Sequence, residues 1–255
     1  MMAKTMPGVG GQGGSGGAGF VVNAVDFSSD YLTRGGLFTG APTTNSKGIF
    51  SAWLRLDGSN NAAMRIMCDD AGGYFVVQRL GSNEFRITLN GTSLGPFNIT
   101  SASVYTASSS WLHLLASWDT NFSASNKLAH LYVNGASDLG SATDGGANAF
   151  SVYYASGDFG VGASTVGGGL FDGCMAEVYF AINQYLDFSV QANREKFRSP
   201  AGKPVSLGAD GSLPTGVAPT VFLNNAFGSF QTNKGTGGNF TVNGTLAAAS
   251  TSPSD

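Results

Sequence analysis

The chain has 255 residues, of which 38 are glycine, about twice the usual share; 42% are apolar, 11% aromatic and only 11% charged. That apolar content excludes the disordered class, and a formal net charge of −3 leaves no basic excess to neutralise a nucleic acid or an anionic membrane surface. No apolar run reaches the roughly 20 residues of a membrane helix, since the longest, around Gly48–Leu56 and Trp111–Trp118, carry Arg55 or His113.

The start, Met1-Met2-Ala3-Lys4, passes into glycine without an apolar h-region, which reads as a chain without a signal peptide, made in the cytoplasm. Residues Gly8–Gly19 have too few side chains to offset backbone entropy, so residues 1–19 are expected to form a flexible arm. An inert linker and an assembly anchor are both open for it. The anchor reading rests on Gly8, Gly13 and Gly16, with Phe20 where the chain enters the domain.

From Phe20 onward, strand-length apolar segments recur. They are Phe20–Val25, Ile49–Leu56, Met64–Cys68, Tyr74–Leu80, Glu84–Leu89, Trp111–Trp118, Leu128–Val133, Asp158–Val161, Cys174–Phe180, Thr220–Leu223 and Phe240–Val242. In the second, Phe50, Ala52, Leu54 and Leu56 alternate with Ser51, Trp53, Arg55 and Asp57, the pattern of a half-buried antiparallel strand. Turn pairs separate the segments: Asp57-Gly58, Asn90-Gly91, Asn134-Gly135, Asp172-Gly173, Asp210-Gly211 and Asn243-Gly244. One helix is predicted over Ser189–Arg198, capped by Asp187 or Ser189 and ended before Pro200. Phe240–Val242 is expected to pair beside Phe20–Val25, and the Ala/Ser/Thr/Pro tail 247–255 to fray. The whole reads as one all-β domain over residues 20–246, a two-sheet antiparallel sandwich with one short helix. Cys68 and Cys174, each flanked by apolar residues, read as two buried free thiols ahead of a long-range disulfide.

Four segments, Phe50-Ser51-Ala52-Trp53-Leu54-Arg55-Leu56, Trp111 to Asp119, Ala129 to Gly135 and Phe171 to Tyr179, resemble in this order the signature strands of the concanavalin A-like (laminin G-like) jelly-roll superfamily. Asp30 to Arg34, Gly202 to Ser212 and Asn233 to Gly244 are similar to a narrower group, the laminin G-like proteins of tailed bacteriophages and prophages. The resemblance implies a jelly-roll sandwich and a non-enzymatic virion component: a capsid decoration protein, head fibre or tail protein. It would be assembled in the bacterial cytoplasm, self-associated and bound to other virion proteins, with a host-glycan adhesin as the alternative.

Glucanases of that superfamily place two glutamates on one strand, because glycoside hydrolysis needs an acid and a second carboxylate. Glu177 stands alone on the corresponding segment, Glu84 and Glu195 are isolated, and Glu177 is expected to pair with an arginine such as Arg55. His113 and His130 lack a nucleophile context and are expected as hydrogen-bonded residues on strand surfaces. No cofactor is expected apart from calcium, which the resemblance implies at one rim, with Asp69, Asp70, Asp119 and Asn121 as candidate oxygen ligands. Their bland alternative is turn chemistry. Tyr153, Tyr154 and Phe159, with Asn148 and Asp158, are candidates for stacking a sugar or for contacting another subunit.

Overall fold

Alternating burial marks the first level of structure: Phe85–Leu89 and Phe97–Ser101 each bury every second residue, so one face meets a core and the other meets solvent. The structure is a computed structural model that describes residues 20–69, 73–92, 95–123, 126–144, 149–155 and 157–255. The arm candidates Gly8, Gly13 and Gly16, and also Asp70 and Asn148, lie outside the described residues.

In chain order the elements are β1 (Val25–Asp26), β2 (Tyr31–Arg34), β3 (Thr44–Asn45), β4 (Lys47–Leu56), β5 (Met64–Asp69), β6 (Phe75–Arg79), β7 (Phe85–Leu89), β8 (Phe97–Ser101) and β9 (Leu112–Ser123). They continue as β10 (Asn126–Val133), β11 (Ala136–Ser137), β12 (Leu139–Asp144), β13 (Val152–Tyr153), β14 (Phe159–Val161), β15 (Gly173–Ile182), α1 (Gln191–Arg194), β16 (Val221–Leu223), β17 (Thr241–Asn243) and β18 (Ala247–Ala248). One sheet runs β11-β10-β9-β4-β15-β1-β18, with β16 also on β15; the other runs β12-β8-β7-β6-β5-β14-β2-β17. All pairings are antiparallel. Between the sheets lies the main core, in which Phe75 stacks on Phe180 at 4.4 Å and Phe38 lies 4.0 Å from Phe159. The Asn134-Gly135 pair turns between β10 and β11 with φ of 54° and 83°, the mirror-image turn its residues favour.

β4 and β15 depart from the half-buried expectation, because both their faces are covered. Phe50, Ala52, Leu54 and Leu56 face the main core as predicted. The opposite face of this sheet, through Ile49, Leu115, Tyr179 and Ala181, buries against Phe188, Phe197, Leu207 and Phe222 from the segment that follows β15. A second apolar layer therefore lies outside the sandwich.

Three further expectations are corrected. The helix is a single turn, Gln191–Arg194, without a side-chain cap; Asp187 instead accepts from the Ser189 amide and hydroxyl at 2.8 and 2.6 Å. A helix this short is marginal by itself, and the segment is set by Phe188 and Phe197, which pack edge to face at 5.8 Å against the sheet. Phe240 is buried, but the strand after it, β17, pairs with β2 and not with the entry segment; β1 pairs with β18. Gly244, at φ 98°, passes close over Asp30, whose Oδ1 accepts the Thr245 amide at 2.8 Å, and this crossing sends the chain from one sheet to the other. The tail is tied down: Ala249 donates to the Ala24 carbonyl at 3.0 Å, Ser254 Oγ accepts the Val22 amide at 2.9 Å, and Arg55 donates to Ser250 and Thr251 at 3.1 and 2.8 Å. Phe20 is 39% exposed, so it enters the domain at the surface while Val22 takes the buried place.

Candidate functional site

The residues that chemistry singled out in the sequence are mostly engaged in holding the fold. Asp69 is buried, and its two oxygens accept the amides of Tyr74 and Phe75 at 3.2 and 3.0 Å, closing the β5–β6 hairpin. Asp119, on the other sheet, accepts the amide of exposed Asn121 at 3.0 Å and lies 3.9 Å from Lys47 Nζ. Both carboxylates thus take part in turn hydrogen bonds. Tyr154 and Phe159 are core residues, 2% and 0% exposed, and cannot stack a sugar or meet a subunit. Both occupy inward strand or loop positions that the glycine-rich surroundings disguised. Tyr153 is half-buried edge-on to Tyr74 at 4.9 Å, and exposed Asp158 accepts the Gly36 amide at 3.0 Å.

His130 meets the surface expectation: its Nε2 shares a hydrogen bond with the Tyr185 hydroxyl at 3.0 Å, and partial burial lowers its pKa against the opposing pull of Asp187. His113 does not. It is 1% exposed, stacked on Trp53 at 4.7 Å, and shares a hydrogen bond between Nε2 and Ser51 Oγ at 2.9 Å. Burial, and secondly the Arg198 charge, push its pKa down to about 3.

Arg55 pairs not with Glu177 but with Asp57, through Nε and Nη2 at 2.7 and 2.8 Å. Asp57, two residues on and just past the end of β4, lies within the fork's reach. Asp26, Asp57 and Cys174 bring three ligand-type atoms within 4.8 Å of one another. The Arg55 guanidinium offsets one of the two carboxylate charges, and burial raises the Cys174 thiol to about 12. Cys68 and Cys174 are both buried and are not joined in a disulfide, as the sequence suggests.

Glu177 is the extra residue where the β15–β4 register slips, with φ 47°. It is 2% exposed, its Oε1 has no hydrogen-bond partner among the described residues, and burial raises its pKa to about 8 against the opposing charge of Lys234. An enclosed carboxyl does not reach a glycoside lying in an open cleft.

The surface feature with binding chemistry is elsewhere, where the tail crosses the outer face of β4. Trp53, Ser110, Trp111, Lys203, Thr251 and Ser252 line a groove of about 350 Å³. It shares Ser109 and Thr251 with a neighbouring groove of about 520 Å³ lined by Arg55, Asp57, Ser108 and Ser250. Half-buried Trp111 donates its indole N–H to Thr251 Oγ1 at 3.1 Å, and the Arg55 guanidinium stands 5.8 Å from its ring centre. The Lys203 ammonium donates to the Asp255 main-chain carbonyl, closing one end. Trp53 was legible in the sequence as an outward position of β4. The role of Trp111 was not, because half the groove is tail.

With sheets, outer layer and groove described, the comparisons with known proteins place the chain. Residues 29–181 match the Concanavalin A-like lectin/glucanases superfamily, and the chain belongs to that family. Among solved structures it is similar to a candidate carbohydrate-binding protein from Bacteroides ovatus, at 15% identity and a TM-score of 0.58 over 91% of this chain and 61% of that one. It thus spans about three fifths of that protein's length. It is also similar to a heptameric SAP-like pentraxin from Limulus polyphemus, at 10% identity and a TM-score of 0.53 over 89% and 94% of the two chains. At such identities the likeness is one of fold. No curated protein matches the chain in sequence.

Proposed function

We propose that this protein is a non-enzymatic glycan-binding module and that the groove beside Trp111 is its sugar site. The observation that carries this reading is the pairing of the half-buried Trp111 indole with the hydroxyls of Ser109, Ser110, Thr251 and Ser252 in one groove. An aromatic face packs against the C–H face of a sugar ring while hydroxyls and the Lys203 end satisfy its oxygens, and the groove falls within the usual size of small-ligand sites. The carbohydrate-binding character of the Bacteroides ovatus relative agrees with it. Glu177 lines neither groove, and the Asp57 carboxylate that lines the second is held by the Arg55 fork.

A glycan array with the full chain tests the proposal. Binding to a restricted set of glycans, competed by the free sugar and weakened at least about tenfold in a Trp111→Ala variant that still unfolds cooperatively, is expected. An empty array, or binding indifferent to Trp111, refutes it.

A second reading sets this module on the surface of a tailed-phage particle, held there by the arm and by contacts between copies. It rests on the resemblance of the three phage-like segments, two of which lie side by side where β2 pairs with β17. Co-purification of the chain with intact particles tests it; its absence from them refutes it.

A further inference from the structure

Beside the single turn α1, where the second apolar layer meets the end of β9, a pocket of about 110 Å³ is lined by His113, Gly135, Gln191, Arg194, Glu195 and Arg198. At about 30 Å³ per water this holds three or four waters or one small polyatomic ion. Its wall has two polar atoms out of solvent contact that find no partner among the described residues: Nδ1 of His113 and Nε of Arg198. Buried imidazole and guanidinium nitrogens are ordinarily hydrogen-bonded; among the described residues Nε of Arg79 and Nε of Arg86 also lack a partner, but only here do two such donors belong to residues that line one pocket.

Arg198 is shaped for a ligand. No carboxylate lies within ion-pair range of it and none of its side-chain nitrogens makes a hydrogen bond among the described residues. Gly135 and Gly202 leave room for its fork: a Cβ on Gly135 would stand 3.1 Å from Nη1, and one on Gly202 2.8 Å from Nη2. A guanidinium without an internal partner leaves its charge for something else. The Ser51 hydroxyl occupies Nε2 of His113, which fixes the ring and turns Nδ1 away from it. The two arginines outweigh Glu195, whose carboxylate is itself engaged by the Gln191 amide at 2.6 Å.

We propose that this pocket is a binding site for one small oxyanion, held by the Arg198 fork and by an Nδ1–H of His113. A carboxylate or a tetrahedral oxyanion supplies oxygens to both orphaned donors and offsets the unpaired guanidinium charge. The site is separate from the Trp111 groove, so either can fail without the other.

The test is nitrogen-detected NMR of the full chain carrying 15N-histidine, which has only two histidines to assign. The chain is titrated with sodium phosphate, sulfate or acetate against chloride at fixed ionic strength. A saturable shift of His113 Nδ1 with His130 unmoved is expected, weakened at least about tenfold in Arg198→Met and retained in Trp111→Ala. Should Arg198→Met fail to fold, Arg198→Lys keeps the charge without the fork and is expected to weaken the same titration. Glucuronate distinguishes the source: binding at least as tight as acetate assigns the anion to an acidic sugar, and exclusion assigns it to a free ion. No shift, an equal shift with chloride, or a shift indifferent to both Arg198 variants overturns the proposal and leaves a water-filled pocket.

Discussion

Glu177 and His113 perturb stability in opposite senses, and together they predict a distinctive pH profile. Glu177 titrates near 8 in the fold against 4.5 as a free group, so from pH 4.5 to 8 the folded state holds a proton that the unfolded state has released. Stability therefore falls as pH rises through that window, by about 1.4 kcal/mol per unit. His113 titrates near 3 against 6.5, so from pH 6.5 down to 3 the unfolded state takes up a proton that the fold refuses, and stability falls as pH drops. Between pH 4.5 and 6.5 the two slopes cancel. These groups thus give a stability plateau over those two units, with losses on both sides. Glu177→Gln removes one slope: from pH 6.5 to 4.5 the variant should lose about 3 kcal/mol where the parent loses almost none, and near pH 8 it should exceed the parent by a few kcal/mol. Urea denaturation of both proteins at pH 4.5, 6.5 and 8 reads this directly. Parallel profiles for parent and variant would refute the reading of Glu177 as a buried neutral acid.

Two other outcomes follow from packing. Gly48 lies opposite Trp118 across β4 and β9, and a Cβ there would stand 2.2 Å from the indole, so Gly48→Ala should cost about 1–3 kcal/mol or more in urea denaturation. A variant as stable as the parent would show that the indole can give way. Cys68 and Cys174 should both resist an aromatic disulfide reagent in the native protein and both react in urea, because thiolate formation at a buried site is suppressed. Rapid native labelling of either thiol would contradict their burial.

The local alternation of Phe50 to Leu56 and the pairs Asn134-Gly135 and Asn243-Gly244 were enough to read an antiparallel sandwich, because side-chain period and turn chemistry act over a few residues. The same alternation placed Ser51, Trp53 and Arg55 on the outward face correctly, but it could not show that this face is covered. Polar β12 and two-residue β18 carried no apolar signal and were missed.

Function was less legible still. Tyr154 and Phe159 looked like binding aromatics in a glycine-rich loop, yet the core claims them; Trp111 looked like the start of a strand, yet it walls the groove. Residue order alone carried most of the strand pattern, the turns and the family resemblance. Tertiary structure alone decided that the segment after β15 forms a second layer, that the tail is fastened by Arg55 and Trp111, and that Arg198 meets His113. The physical reason is distance along the chain: Arg55 binds Thr251 across 196 residues, and no local periodicity encodes a contact that only the folded arrangement brings together.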